Sequence, residues 1–145
     1  MHRDLSRLVR RAIAITAMDF VVFDGRRSQA EQDALTKRGA SWSGQTGSGI
    51  VGRHVSGHAV DLVPWLEGKP RWHEIPCRRI AVAMLAASRE LAIPLRWGGT
   101  WKRLSGNPMT APASRRFDGP HFELPRSHYD SPVHYRRIVY RMTPL

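Results

Sequence analysis

Two short stretches, far apart in a chain of 145 residues, carry the side chains that could do chemistry. The first runs Gly52-Arg53-His54-Val55-Ser56-Gly57-His58-Ala59-Val60-Asp61-Leu62, the second Phe117-Asp118-Gly119-Pro120-His121-Phe122-Glu123-Leu124. Together they supply two histidines and a carboxylate as nitrogen and oxygen ligands, with another carboxylate beside the second histidine. Three such ligands leave a fourth tetrahedral position open to solvent, as catalytic zinc requires. Zinc lowers the pKa of water and polarises a carbonyl, so amide hydrolysis can run near neutral pH.

Each residue taken singly has a plainer use. A lone histidine is more often a surface or core residue than a ligand. Asp61 could cap a turn, although an Asp inside Ala-Val-Asp-Leu-Val is costly unless paired or metal-bound. Asp118-Gly119-Pro120 has the composition of a turn, and Glu123 could be a solvated strand residue. Only the conjunction carries weight. A rival pairing joins His54 to His58 at the i,i+4 spacing of a helical zinc motif. That motif needs a glutamate directly after its first histidine, where Val55 stands, and Gly57 weakens a helix there. Cys77 is the single cysteine, which excludes an intramolecular disulfide and a Cys-rich zinc site. Any metal falls to histidines and carboxylates.

The scaffold must bring these two segments together. Residues 4–17 read as an amphipathic helix with Leu5, Leu8, Val9, Ala12 and Ile13 at helical spacing. Arg10 and Arg11 before the apolar run Ala12–Met18 touch the lower limit of a signal-peptide core, ~7 residues. The spacing through the charged part favours a mature first helix over a leader. Phe20-Val21-Val22-Phe23 reads as a short buried strand. Ser28 and Glu31 have capping-box spacing, which predicts a helix over 29–38 that stops at Gly39. Residues 39–53, with five glycines, predict a long exposed loop.

Ala59 to Trp65 reads as a strand, with Val60, Leu62 and Pro64 on one face and Ala59, Asp61 and Val63 on the other. Pro76, at the first helical position, opens a helix through Leu91 whose apolar residues are Ile80, Met84, Leu85 and Leu91. Ile93–Trp97 and His121–Leu124 read as strands, residues 98–117 as an irregular stretch, and Pro132 as the start of a helix ending near Met142. Helices mixed with short strands predict an α+β fold with a small, mainly antiparallel sheet and flanking helices, in one domain spanning 1–145.

A folded chain of this size buries roughly two-thirds of its unfolded surface, enough for a core without disulfides. The net charge of +11 and sequence pI of about 11.3 point to an anionic partner: nucleic acid, an anionic membrane surface or an anionic cell wall. No apolar run approaches the ~20 residues of a membrane-spanning helix, so no stable membrane insertion is expected. The arginines are scattered without a recognition motif, which argues against nucleic acid.

At these residues the sequence resembles the M15 peptidases: D-Ala-D-Ala carboxypeptidases, dipeptidases and phage L-alanyl-D-glutamate endopeptidases. Their signature is S-x-H-x-x-G-x-A-x-D, followed far downstream by an acidic residue, two others and a second histidine. Here it stands as Gly52 to Asp61, then Asp118-Gly119-Pro120-His121. Asp24-Gly25-Arg26-Arg27-Ser28 with Gln32, Asp61-Leu62-Val63-Pro64-Trp65 and Arg96-Trp97-Gly98-Gly99 agree further, and look most like the compact phage endolysin branch. The likeness spans about residues 4 to 125.

The resemblance implies a Hedgehog/DD-peptidase-like fold in which His54, Asp61 and His121 hold a zinc ion (Zn2+). It implies Asp118 as the general base that passes a proton to the leaving amine. Arg27, with Arg26 as the fallback, would neutralise the tetrahedral intermediate or a substrate carboxylate, a task suited to a permanently charged guanidinium. Glu123 shares a strand face with His121 and could orient it as an outer acceptor, or serve as an alternative base. Gly52 stands where the family has serine, which bears on substrate preference, and Thr100 replaces a common acidic residue.

The function implied is a peptidoglycan endopeptidase, an endolysin cutting L-alanyl-D-glutamate. The alternatives are a D,D-carboxypeptidase and an inactive, metal-binding wall-binding module. Bacterial peptidoglycan is the expected partner, with attraction to an anionic envelope and a monomeric protein. Synthesis in the host bacterial cytoplasm, from a phage or prophage, and action on the wall after release complete the expectation.

Overall fold

The computed structural model describes residues 1–39 and 51–130. Their elements run α1 (Arg3–Ile15), β1 (Phe20–Asp24), α2 (Gln29–Lys37), β2 (Ala59–Leu66), β3 (Lys69–Pro70), α3 (Glu74–Glu90), β4 (Arg96–Trp97), β5 (Lys102–Arg103), β6 (His121–Glu123) and α4 (Arg126–Tyr129). The strands form an antiparallel sheet ordered β1-β2-β6-β4-β5, with β3 paired to β2. This is the α+β architecture that the pattern of elements predicts.

Alternation along β2 decides which face does what. Val60 and Leu62 join Phe122 and Trp97 in the main core, covered by Leu5, Leu8 and Ala12 of α1 and Ile80 and Met84 of α3. Each fully buried side chain of this kind contributes about 1.5–3 kcal/mol relative to exposure. Ala59 and Val63, one residue out of phase, are buried outside that cluster, and Asp61 shares their face. The sheet is therefore apolar toward the helices and polar on its other side, where chemistry can be placed.

Several elements depart from their expected form. Ile13 of α1 is 44% exposed while Leu5, Leu8, Val9 and Ala12 are buried, so the apolar stripe is narrower than its spacing implied. β1 is not a buried strand: Val22 and Phe23 are exposed. It lies at the sheet edge, and its register slips between Val22 and Asp24, a bulge that turns Phe23 outward. Its ring meets Trp72 edge-on at 5.3 Å. The capping box at Ser28 and Glu31 forms as expected, and α2 gives way to Gly39 at φ 69°.

α3 starts two residues before Pro76, so the proline occupies the third helical position and not the first. It is tolerated because N–H groups of the first turn lack intrahelical partners. β4 contains only Arg96 and Trp97, since Pro94 cannot donate to a ladder. The stretch 98–117, expected to be irregular, contains β5. β3 and α4 were not anticipated; two- and four-residue elements are too short for periodicity to reveal. The long loop over 39–53, apart from its ends, and the helix over 132–142 lie outside the described residues.

Candidate metal centre

Strand register assembles the site. Pairing of β2 with β6 sets Asp61 opposite His121 and Ala59 opposite Glu123. The β1 bulge brings Asp24 opposite Asp61, and β4 places Arg96 opposite Glu123. His54 arrives from the turn before β2, closed by Gly57 N–H donating to His54 C=O and His58 N–H to Arg53 C=O. Gly57 sits at φ 73° there, a conformation open to glycine. That turn is not a helix, so His54 and His58 do not share a face. His58 instead stacks on His2, with centroids 4.9 Å apart.

Residues 54, 61 and 121 converge. His54 Nε2 lies 3.3 Å from His121 Nδ1 and 3.4 Å from Asp61 Oδ1, and His121 Nδ1 is 3.2 Å from the same oxygen. Among the described residues these are the one group of histidine and carboxylate side chains close enough to hold a metal ion.

The outward-facing atom of each is also engaged. His54 Nδ1 is 2.7 Å from the Gly25 carbonyl, His121 Nε2 is 3.1 Å from Glu123 Oε2, and Arg27 Nη2 donates to Asp61 Oδ2 at 3.2 Å. A carbonyl can only accept, so His54 carries its proton on Nδ1 and turns a lone pair inward. An ionised Glu123 fixes His121 in the same sense. Three acceptors then face one another in a buried space, an arrangement that a cation resolves.

The charges around the site follow from these contacts. Burial works against charging Asp61, but the neighbouring His121 and His54 keep its carboxyl well below the usual range. Burial likewise opposes a charged His121, yet Asp61 and Glu123 on either side hold it up to about 9. A metal ligand must be unprotonated at its coordinating nitrogen, so a cation bound here would displace that proton. Burial would raise Glu123, but His121 and the Arg96 guanidinium, which donates to it at 2.7 Å, bring it down to about 2.

Arg27 has little capacity left. Its Nε donates to Asp24 at 2.6 Å and its Nη1 to the buried Gln32 at 3.3 Å, in addition to the Asp61 contact. Arg26, next to it, is exposed. A Cβ at Gly52 would stand 3.8 Å from Val55 and 3.9 Å from the Gln32 side chain, ordinary contacts, so the site has room for the serine that this sequence lacks.

Asp118 is placed by backbone contacts. Its N–H donates to Gly98 C=O at 3.1 Å, and His121 N–H donates to its carbonyl at 3.3 Å. Burial raises the Asp118 pKa; the charge of Asp61 adds to this, while His121 and His54 oppose it. A carboxylate that keeps a higher proton affinity is suited to accept and return a proton.

Three supporting residues lie outside the ligand motifs, and the sequence gives none of them a role. Asp24 anchors Arg27 and Arg96 anchors Glu123. Trp101 stands 5.2 Å from the His121 ring, with the Arg96 guanidinium 5.3 Å from its own ring and its indole N–H donating to Arg116 C=O at 2.6 Å. Trp101 also adopts φ 53°, a rare backbone state for a bulky residue. Its one hint in the sequence is a position just after Trp-Gly-Gly-Thr.

Known proteins resemble the chain in sequence and in fold. The chain is 29% identical over 122 residues to the L-alanyl-D-glutamate peptidase of Escherichia phage T5, covering 83% of this chain and 86% of that protein. Its fold matches the crystal structure of the Serratia marcescens L-Ala D-Glu endopeptidase ChiX with a TM-score of 0.72 and 34% identity, over 90% of this chain and 85% of ChiX. The family described as phage L-alanyl-D-glutamate peptidase matches residues 1–125, a span that contains His54, Asp61, His121 and the residues that support them, and the chain belongs to that family.

Proposed function

We propose that the chain is a zinc-dependent endopeptidase that hydrolyses the L-alanyl-D-glutamate amide of bacterial peptidoglycan stem peptides. The observation that carries this reading is the set of three inward-facing acceptors at 3.2–3.4 Å from one another. Zinc bonds of 2.0–2.1 Å at tetrahedral angles put ligand atoms roughly 3.3 Å apart. His54, Asp61 and His121 therefore fit zinc in number, donor type and spacing. Bound there, zinc supplies a Lewis acid for the scissile carbonyl and lowers the pKa of the attacking water.

The chain's own residues do the rest. Asp118 accepts a proton from the attacking water and delivers it to the leaving amine, a use that its raised proton affinity supports. Glu123 is a positioning residue: both of its oxygens are occupied, by His121 and by Arg96, and its depressed pKa makes it a weak base. Arg27 fixes Asp61 and contributes positive potential where an oxyanion forms.

The family match favours the stem bond over the terminal D-Ala of a carboxypeptidase. An enzyme of phage type, made in the host cytoplasm and reaching the wall after release, agrees with the likeness to the phage T5 protein. The charge of +11 would assist a monomer in reaching an anionic envelope.

Zymography on purified cell walls, with and without a chelator, tests the reading, and mass spectrometry of the muropeptides identifies the bond. Cleavage between L-Ala and D-Glu, lost on metal removal and restored by zinc, is expected. Release of free alanine would favour the carboxypeptidase instead. Asp118→Ala should retain zinc and lose turnover, and undiminished activity would overturn its role.

A further inference from the structure

Beside Asp61, toward α2, lies a cleft of about 330 Å³. Five charged residues line it: Asp24, Arg26, Arg27, Glu31 and Arg38. Each carboxylate has one oxygen engaged. Asp24 accepts from Arg27 at 2.6 Å, and Glu31 caps α2 by accepting from the Ser28 N–H and hydroxyl at 2.8 and 2.9 Å. Arg27 is occupied as well, by Asp24, Gln32 and Asp61. What remains are the guanidinium groups of Arg26 and Arg38, neither of which has a side-chain hydrogen bond or ion pair among the described residues. Ala34 and Leu35 complete the lining with apolar surface.

The chemistry of the proposed substrate supplies a matching group. An L-alanyl-D-glutamate bond uses the amino group of the glutamate. Only one of that residue's two carboxyls can carry the peptide onward, so the other stands free beside the scissile amide, on the leaving-amine side. Resting on the hydrolase reading above, we propose that Arg26 and Arg38 form a carboxylate subsite that grips this group and seats the leaving half of the substrate in the α2 cleft.

Arg27 and Asp24 form the wall shared by the cleft and Asp61, so a group seated there adjoins the metal cluster. A guanidinium fork matches a carboxylate in shape as well as charge, and Ala34 and Leu35 offer the glutamate methylenes an apolar surface. The division of labour among the three arginines is then set by who is free: Arg27 holds Asp61, and its neighbour Arg26 with Arg38 holds the substrate.

The test compares two synthetic stem peptides that differ only in whether the free glutamate carboxyl is left as the acid or capped as the primary amide. The zinc-loaded full chain should cleave the acid with a kcat/KM roughly tenfold or more above the amide, the scale of a lost charge-assisted hydrogen bond, mainly through KM. In the Arg26→Gln/Arg38→Gln double variant the ratio should fall toward one. Arg3→Gln/Arg10→Gln on the exposed side of α1 removes the same net charge and should keep the preference, separating a local subsite from general attraction. Equal cleavage of both peptides by the parent protein, or an unchanged ratio in the Arg26/Arg38 variant, would overturn the subsite while leaving the hydrolase standing. Cleavage of neither peptide by the zinc-loaded parent would overturn the hydrolase and the subsite together.

Discussion

The three candidate ligands differ less in their inward atoms than in what holds them from behind. A backbone carbonyl fixes His54, a carboxylate fixes His121 and a guanidinium fixes Asp61. Of these, the Glu123–His121 contact is the one a single substitution isolates most cleanly. Glu123→Ala should weaken zinc binding by about 10–100-fold, the usual scale for an outer partner of a ligating histidine, read by competition with a chromophoric chelator. Glu123→Gln separates positioning from proton transfer: as a positioning residue, Glu123 should yield a variant with parallel losses in affinity and turnover. Full zinc affinity with abolished kcat would make Glu123 the base and displace Asp118. At this scale the sequence was highly legible for residues with rare chemistry, because His54, Asp61 and His121 fall on distinctive motifs. Asp24 and Arg96 stand in stretches that carry the family likeness, yet their tasks, like that of Trp101, were not legible there, because an ordinary Asp, Arg or Trp acquires its task only through what the fold puts opposite it.

Elements supply that opposition through register. Asp24, Asp61 and His121 form one row across β1, β2 and β6, and Ala59, Glu123 and Arg96 form the next functional row across β2, β6 and β4. Without the bulge between Val22 and Asp24, alternation would turn Asp24 to the other face. Close approach matters as much as register. A Cβ at Gly98 would meet the Asp118 carbonyl oxygen at 2.4 Å and the Cβ of His121 at 3.0 Å. Backbone cannot yield there without moving both residues. Gly98→Ala should therefore destabilise the fold by roughly 1–3 kcal/mol in a denaturant titration, and lower zinc affinity along with turnover. Unaltered zinc affinity would mean that the β4–β6 junction does not hold the site. The sequence foretold α1, α2, α3, β2 and β6 because their apolar spacing or caps are strong. It missed the bulge, β3 and β5, since the partner strand and not the local residues determines them.

Over the whole molecule, the sheet joins sequence segments that share no local contacts: the metal cluster draws on positions 54, 61 and 121, with Arg27 from the connection after β1 behind them. An ion bound there links the turn before β2 to β6 and stabilises the native chain against an unfolded one in which these groups are dispersed. Ligand linkage gives about 4 kcal/mol when free zinc is a thousandfold above its dissociation constant. For a chain of this size that corresponds to a rise in Tm of roughly ten degrees. Scanning calorimetry of the metal-free protein should show the lower transition, zinc should restore the higher one, and magnesium should not, since imidazole ligands suit zinc and magnesium prefers oxygen. His54→Ala should abolish the response. A transition that is the same with and without zinc, in protein shown by elemental analysis to be metal-free beforehand, would mean that the three facing acceptors do not bind the ion in the native state. The amide hydrolysis proposed for this fold would then have to find its electrophile elsewhere.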